Sequence, residues 1–288
     1  MEVKELIKKV RKIEIKTKRL SSQIFSGEYH SAFKGRGMAF SEVREYAIGD
    51  EIRTIDWNVT ARFNEPFVKV FEEERQLTVM LIVDISASGG FGTRNQLKRE
   101  TITELCAVLA FSAVSNNDQI GLLLFSDKIE KFIPPKKGKS HILRIIRELI
   151  DFEPTGTSTD IAGALKYFTQ VVKKKSIAFV LSDFMDNDFT DALKIASRKH
   201  DLVALKVNDK AESELPKIGI AKFKDLETGE SKWINTSSKR VRENYKTKRE
   251  EQNAKLRDIF RKSKTDFAEI DTNEGYIKPL MTLFKRRG

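Results

Sequence analysis

The sequence predicts an α/β protein: a doubly wound, mostly parallel sheet flanked by helices, with an N-terminal helix and strand extension and a C-terminal hairpin insertion. Three observations predict it. Residues 77–85, LTVMLIVDI, form an apolar, β-branched run of strand length, as expected of a central strand buried on both faces. From Gln76 onward such runs alternate with helical segments, and βαβα alternation builds a parallel sheet between two helical layers. Finally, 40% hydrophobic and 33% charged residues in 288 are enough for a real core and exclude global disorder.

Residues 1–25 carry Val3, Leu6, Ile7, Val10 and Ile13 at helical spacing. SGEYHSAFKGRGMAF at 26–40 is loop-like, and FVKVFEEER reads as a strand running into charge. After the 77–85 strand come a helix over about 94–115, the strand QIGLLLFSD and the short strand KIEKFIPP. A helix near 140–150, the loop EPTGTSTD and a helix near 161–173 follow. The strand SIAFVLSD, a helix near 189–199 and the strand DLVALKVN complete the alternation. GIAKFKDLETGESKWIN then reads as a hairpin, near 218–236, turning at Glu227-Thr228-Gly229-Glu230. A long basic helix, the strand TDFAEID and the helix GYIKPLMTLFKRR close the chain. The change of pattern at Gln76 divides the chain into a 1–75 region and a 76–288 α/β domain.

No apolar run approaches the ~20 residues that a membrane helix needs. The charged start MEVKELIKKVRK lacks an apolar core, so a signal peptide is not expected. One cysteine, Cys106, cannot form an internal disulfide or a cysteine-rich metal module, and its helical neighbours Leu105, Val108 and Leu109 place it in the core. A cytoplasmic location follows, with the periphery of the inner membrane as an alternative and no membrane insertion. The net charge of +11 is concentrated in two segments. Residues 1–20 hold eight basic against three acidic side chains, and residues 239–264 hold eleven against four. Both show helical spacing, so solvated faces of packed helices are the simpler reading, and nucleic-acid binding through them is the alternative.

In an open α/β sheet, ligands sit at the carboxyl ends of the strands where the order reverses. Three loops expected there carry oxygen-bearing side chains: Asp84-Ile85-Ser86-Ala87-Ser88, Gly156-Thr157-Ser158-Thr159-Asp160 and Ser182-Asp183. Carboxylates and hydroxyls without histidine or cysteine form a hard donor set suited to Mg²⁺ or Mn²⁺, which take about six oxygens at ~2.1 Å. A single such loop would serve equally as a helix cap; three convergent loops favour the metal.

Asp84, Ser86 and Ser88, then Thr159, then Asp183 resemble, in order and in element, the metal-ion-dependent adhesion site of von Willebrand factor type A domains. Thr159 is preferred to Thr157 because Thr159-Asp160-Ile161 stands where that family has its threonine-led helix start. GRGMAFSEVREYAIGDEIRTIDWNVTARFNEPFVKVFEEER and the ending TNEGYIKPLMTLFKRR are similar to the domain-of-unknown-function 58 family of bacterial proteins, in which such a domain follows this block. The resemblance implies a von Willebrand type A-like fold and a non-catalytic, metal-dependent interaction or adaptor module. It also implies a MoxR-type AAA+ ATPase as partner, acting with it in chaperone-like maturation of client proteins. Many relatives carry two N-terminal membrane helices where this chain has a charged helix.

A metal-dependent phosphoester hydrolase is the catalytic alternative, but Asp84 and Asp183 supply fewer carboxylates than two-metal chemistry uses. Asp56, Trp57 and Arg62 read as a structural ion pair and a buried aromatic rather than an acid/base set. Gly138-Lys139-Ser140 is not a phosphate loop: Ile133 stands where its first glycine belongs, and Pro134-Pro135 removes two N–H groups.

Overall fold

The computed structural model describes residues 3–20, 29, 32–33, 39–72, 77–86, 98–186, 188–209, 212, 214–224 and 231–287. The chain divides into two compact units, Met1–Phe33 with Leu77–Gly288, and Lys34–Gln76. This differs from a boundary at residue 75. Helix α1 (Val3–Leu20) belongs with the larger unit because Val10, Ile13 and Leu20 pack against its core, where Tyr29 and Phe33 are buried too.

In the smaller unit, β1 (Ala39–Glu45) and β2 (Phe67–Glu72) pair antiparallel, with Glu45 opposite Phe67. Between them lie a 3-10 turn (Ile52–Thr54) and α2 (Trp57–Phe63). Asp56 starts α2 by accepting from the Asn58 and Val59 amides, which satisfies two of the four N–H groups a helix start leaves unpaired. Two expectations are corrected here. The cation beside Asp56 is Lys69, at 3.4 Å, rather than Arg62, and Trp57 is 67% exposed rather than buried. No residue of this seven-residue helix is buried, so the tryptophan has no core to enter.

The larger unit is built on a six-stranded sheet: β3 (Thr78–Asp84), β4 (Gln119–Phe125), β5 (Ile129–Lys136), β6 (Ile177–Ser182), β7 (Asp201–Asn208) and β10 (Asp266–Asp271), ordered β10-β7-β6-β3-β4-β5. Every pairing is parallel except β4 with β5. Pro134 and Pro135, which cannot donate to a ladder, fall on the edge strand β5. Alternate residues of β3 serve two cores. Val79, Leu81 and Val83 face α3 (Lys98–Ser115), α4 (Lys139–Asp151) and α8 (Ile277–Arg287), while Met80 and Ile82 face α5 (Ile161–Val171), α6 (Thr190–Lys199) and α7 (Lys239–Lys262). This is the doubly wound, mostly parallel arrangement that the sequence predicts.

Helix α3 is buried from Thr101 to Ala113 because α1 and α4 pack over the side that turns away from the sheet. The basic segments hold packed helices. Lys16 of α1 pairs with Glu104 at 2.6 Å, and α7 inserts Leu256 and Phe260 into the second core while Lys239 and Lys246 pair with Glu243 and Glu214. Strands β8 (Ile220–Lys224) and β9 (Ser231–Asn235) form the expected antiparallel hairpin; its turn lies outside the described residues. Chain order places the reversal of strand order at β3 and β6, because β4 and β5 lie on one side of β3 and β6, β7 and β10 on the other. The carboxyl ends of those two strands carry Asp84 and Ser182-Asp183.

Candidate metal centre

Strand β3 delivers Asp84 at its last residue, 5% exposed, and the chain then turns so that the Ser86 amide donates to Asp84 Oδ1 at 2.9 Å. Its other oxygen accepts from Ser182 Oγ at 2.7 Å and lies 3.5 Å from Thr159 Oγ1. Ser182 in turn accepts from the Phe184 amide at 2.9 Å. Asp183, 7% exposed, accepts from the Met185 amide at 3.2 Å, and its Oδ2 lies 3.1 Å from the ammonium of Lys98. The structure thus draws Asp84, Ser86, Thr159 and Asp183 to one end of the sheet; Ser88 lies outside the described residues.

Two devices hold these groups in place. Phe184 adopts a left-handed backbone, φ 55°, which is uncommon for a bulky residue. Its ring is held edge-on to Phe260 at 5.1 Å and near Phe189 at 6.0 Å, so core packing sustains the bend that directs Asp183. The loop bearing Thr159 is pinned by Glu130, which accepts from Ser126 Oγ at 2.8 Å, the Thr155 amide at 3.0 Å and the Gly156 amide at 2.9 Å. Gly156 is required by this close approach: a Cβ there would lie 1.7 Å from Asp127 Oδ1 and 2.3 Å from Ser126 Oγ. Asp160 and Asp186 then start α5, accepting from the Gly163 and Ile161 amides, which links the loop after β6 to the helix after Thr159.

Burial, and then the charge of Asp183, push the Asp84 carboxyl up to about 6, against the hydrogen bonds from Ser182 and Ser86 that favour its charged form. Lys98 is the cation ion-paired with Asp183, and the buried ammonium of Lys206 also lies within reach of that charge. Burial disfavours the Lys98 ammonium, but Asp183 and Glu212 outweigh that and hold its pKa above the ordinary lysine value. Two buried carboxylates with serine and threonine hydroxyls are a donor set that fits a small, hard divalent ion. Among the described residues no group of three or more His, Cys, Asp or Glu gathers at a metal-holding point, so hydroxyls and water must complete any coordination sphere.

Sequence reasoning missed Ser182 as a partner of Asp84, Glu130 as the pin of the threonine loop, and the Lys98–Glu212 pair. Ser182 stands beside Asp183 and was open to view; Glu130 is separated from Thr155 and Gly156, and Lys98 from Asp183 and Glu212, by long stretches of chain with no local motif.

The site stands in a fold with solved counterparts. BatB from Bacteroides thetaiotaomicron superposes with a TM-score of 0.50 at 15% identity, over 73% of this chain and 98% of that one. An aerotolerance-related membrane protein from Bacteroides fragilis superposes with a TM-score of 0.51 at 16% identity, over 73% and 99%. At these identities the likeness is one of fold. In sequence, an uncharacterized protein of Mycobacterium tuberculosis (strain H37Rv) is 28% identical over 223 residues, 76% of this chain and 70% of that protein. The family model described as protein of unknown function DUF58 matches residues 42–255, nearly three quarters of the sequence, and the chain belongs to that family.

Proposed function

We propose that this protein is a non-catalytic interaction module whose contact point is a divalent ion, Mg²⁺ or Mn²⁺, held by Asp84, Ser86, Thr159 and Asp183, with Ser88 completing the set. The observation that carries the reading is the meeting of two buried carboxylates at the strand-order reversal, with Asp84 pushed up to about 6 beside Asp183. A divalent cation bound to both carboxylates would relieve the repulsion between Asp84 and Asp183 directly. Hydroxyl ligands leave the ion more electropositive than carboxylates would, so an acidic side chain from another protein can take an open position on it. Two carboxylates do not supply the converging set that two-metal phosphoester hydrolysis uses, which favours binding over catalysis.

The partner we propose is a MoxR-type AAA+ ATPase, with chaperone-like maturation of client proteins as the shared task; the resemblance to the domain-of-unknown-function 58 family supports this choice. No helix among the described residues is long and apolar enough to cross a membrane. We place the protein in the cytoplasm, where the basic outer faces of α1 and α7 also permit contact with an anionic inner-membrane surface.

The test is a pull-down from cell lysate with wild type and Asp84→Ala, each in Mg²⁺ or in EDTA, with bound proteins identified by mass spectrometry. The ATPase is expected in the wild-type sample with Mg²⁺ and absent from the other three. Its equal recovery from all four would move the interaction surface elsewhere.

A further inference from the structure

We propose that Lys98 is a tethered counter-ion of the candidate metal centre, so that its ammonium and a divalent ion compete for Asp183. This inference rests on the metal-centre reading and deepens it by naming what controls occupancy.

Lys98 is the first described residue of helix α3. It is only 2% exposed, with Nζ 3.1 Å from Asp183 Oδ2 and 2.5 Å from Glu212 Oε1. Solvent does not explain that placement; the two carboxylates do. A divalent ion bound to Asp183 at ~2.1 Å would lie beside the same ammonium, and like charges at that range, shielded from water, repel strongly. Even with the ammonium on Oδ2 and the metal on Oδ1, the two cations would share one buried carboxylate at short range, so each weakens the hold of the other.

Glu212 offers the ammonium a second seat. Its other carboxylate oxygen accepts from the Asp209 amide at 3.3 Å, and its main-chain oxygen accepts from Tyr245 of α7 at 2.9 Å. Lys98 can therefore yield Asp183 to the metal and remain paired with Glu212, which stays anchored. Metal entry in this way exchanges one ion pair for another, and ties occupancy to the segment after β7 and to α7. A purely structural Lys98–Asp183 bridge has the opposite consequence: without it Asp183 is loosened, and metal binding weakens.

The test is calorimetric titration of Mn²⁺ into the full chain as wild type, Lys98→Met, Lys98→Gln, Glu212→Gln, the double variant Lys98→Met/Glu212→Gln, and Asp84→Ala, each checked for folding by circular dichroism. Both Lys98 variants are expected to bind about tenfold more tightly than wild type or better, because one nearby positive charge is gone. Glu212→Gln should bind several-fold more weakly, since the ammonium is left with Asp183 alone, and this loss should shrink in the double variant, where no ammonium remains to act through. Lys98→Gln keeps the test decisive should Lys98→Met not fold. Binding that is abolished by Asp84→Ala but equal or weaker in the Lys98 variants would overturn this inference alone. Absence of Mn²⁺ binding from every protein, the Lys98 variants included, would overturn the metal reading and this inference with it.

Discussion

Replacing Glu130 by glutamine should unpin the loop that carries Thr159. The carboxylate accepts from Ser126 Oγ at 2.8 Å, from the Thr155 and Gly156 amides at 3.0 and 2.9 Å, and from Thr155 Oγ1 at 2.8 Å. A glutamine whose oxygen stands where Oε1 does keeps the three bonds made there, but it loses the Oε2 bond from Thr155 Oγ1 and the charge that strengthens the others. Net hydrogen bonds of about 1 kcal/mol each, reduced because water reaches a half-buried carboxylate, give about 1–2 kcal/mol for opening the loop. That corresponds to roughly 5–30-fold faster exchange of the Thr155 and Gly156 amides. Mg²⁺ affinity should fall several-fold, because Thr159 loses its fixed place beside Asp84. The same group gives a pH signature. Burial by itself would raise the Glu130 pKa, but the accepted hydrogen bonds hold it at about 2 in the folded protein. Its stabilisation is therefore complete above the unfolded value of ~4.3 and is lost as pH falls through that value towards 2. Hydrogen exchange of wild type and variant at neutral pH is the assay. Equal protection of the two amides in both proteins would refute the pinning role.

Three further outcomes are expected. His200 is buried against Phe168, and burial, with the charge of Lys199, lowers its pKa to about 4, below the unfolded value of ~6.5. Stability should thus decline as pH falls from about 6.5 to 4, and His200→Gln should flatten that part of a urea-midpoint profile; an unchanged slope would refute it. Phe284 is fully buried and meets Phe33 at 5.6 Å and Tyr29 at 6.1 Å, so Phe284→Ala should cost about 3–5 kcal/mol in urea denaturation, and a loss below about 1 kcal/mol would contradict the packing. Burial raises the Cys106 thiol well above its ordinary value, so it should react with a thiol reagent only after denaturation; rapid labelling of the native protein would contradict its core position.

The central strands were legible because β3 and β6 bury nearly every residue, leaving an apolar run that surface strands do not have. Asp84 and Asp183 were legible for a related reason: each interrupts such a run at its carboxyl end, where a doubly wound sheet concentrates its ligands. Lys98 was hidden because its two partners lie in other loops, and in sequence it is one more charged residue in a basic chain. Glu130 was hidden in the same way, as a polar residue inside an edge strand whose partners in the threonine loop are 25 and 26 residues away. The membership of α1 in the larger unit followed from faces rather than from order, since its apolar residues find their complement beyond residue 77. Trp57 misled because an aromatic residue is a good marker of burial only where a core lies within reach.

The most direct test of the central claim is titration calorimetry of Mg²⁺ and Mn²⁺ into the wild-type chain and into Asp84→Ala/Asp183→Ala, with circular dichroism and a urea melt to show that both proteins fold. A single saturable site is expected in the wild type and none in the double variant, with both proteins folded, because the two carboxylates stand at the carboxyl end of the sheet rather than in either apolar core. Unchanged affinity for both ions in the double variant would contradict the claim.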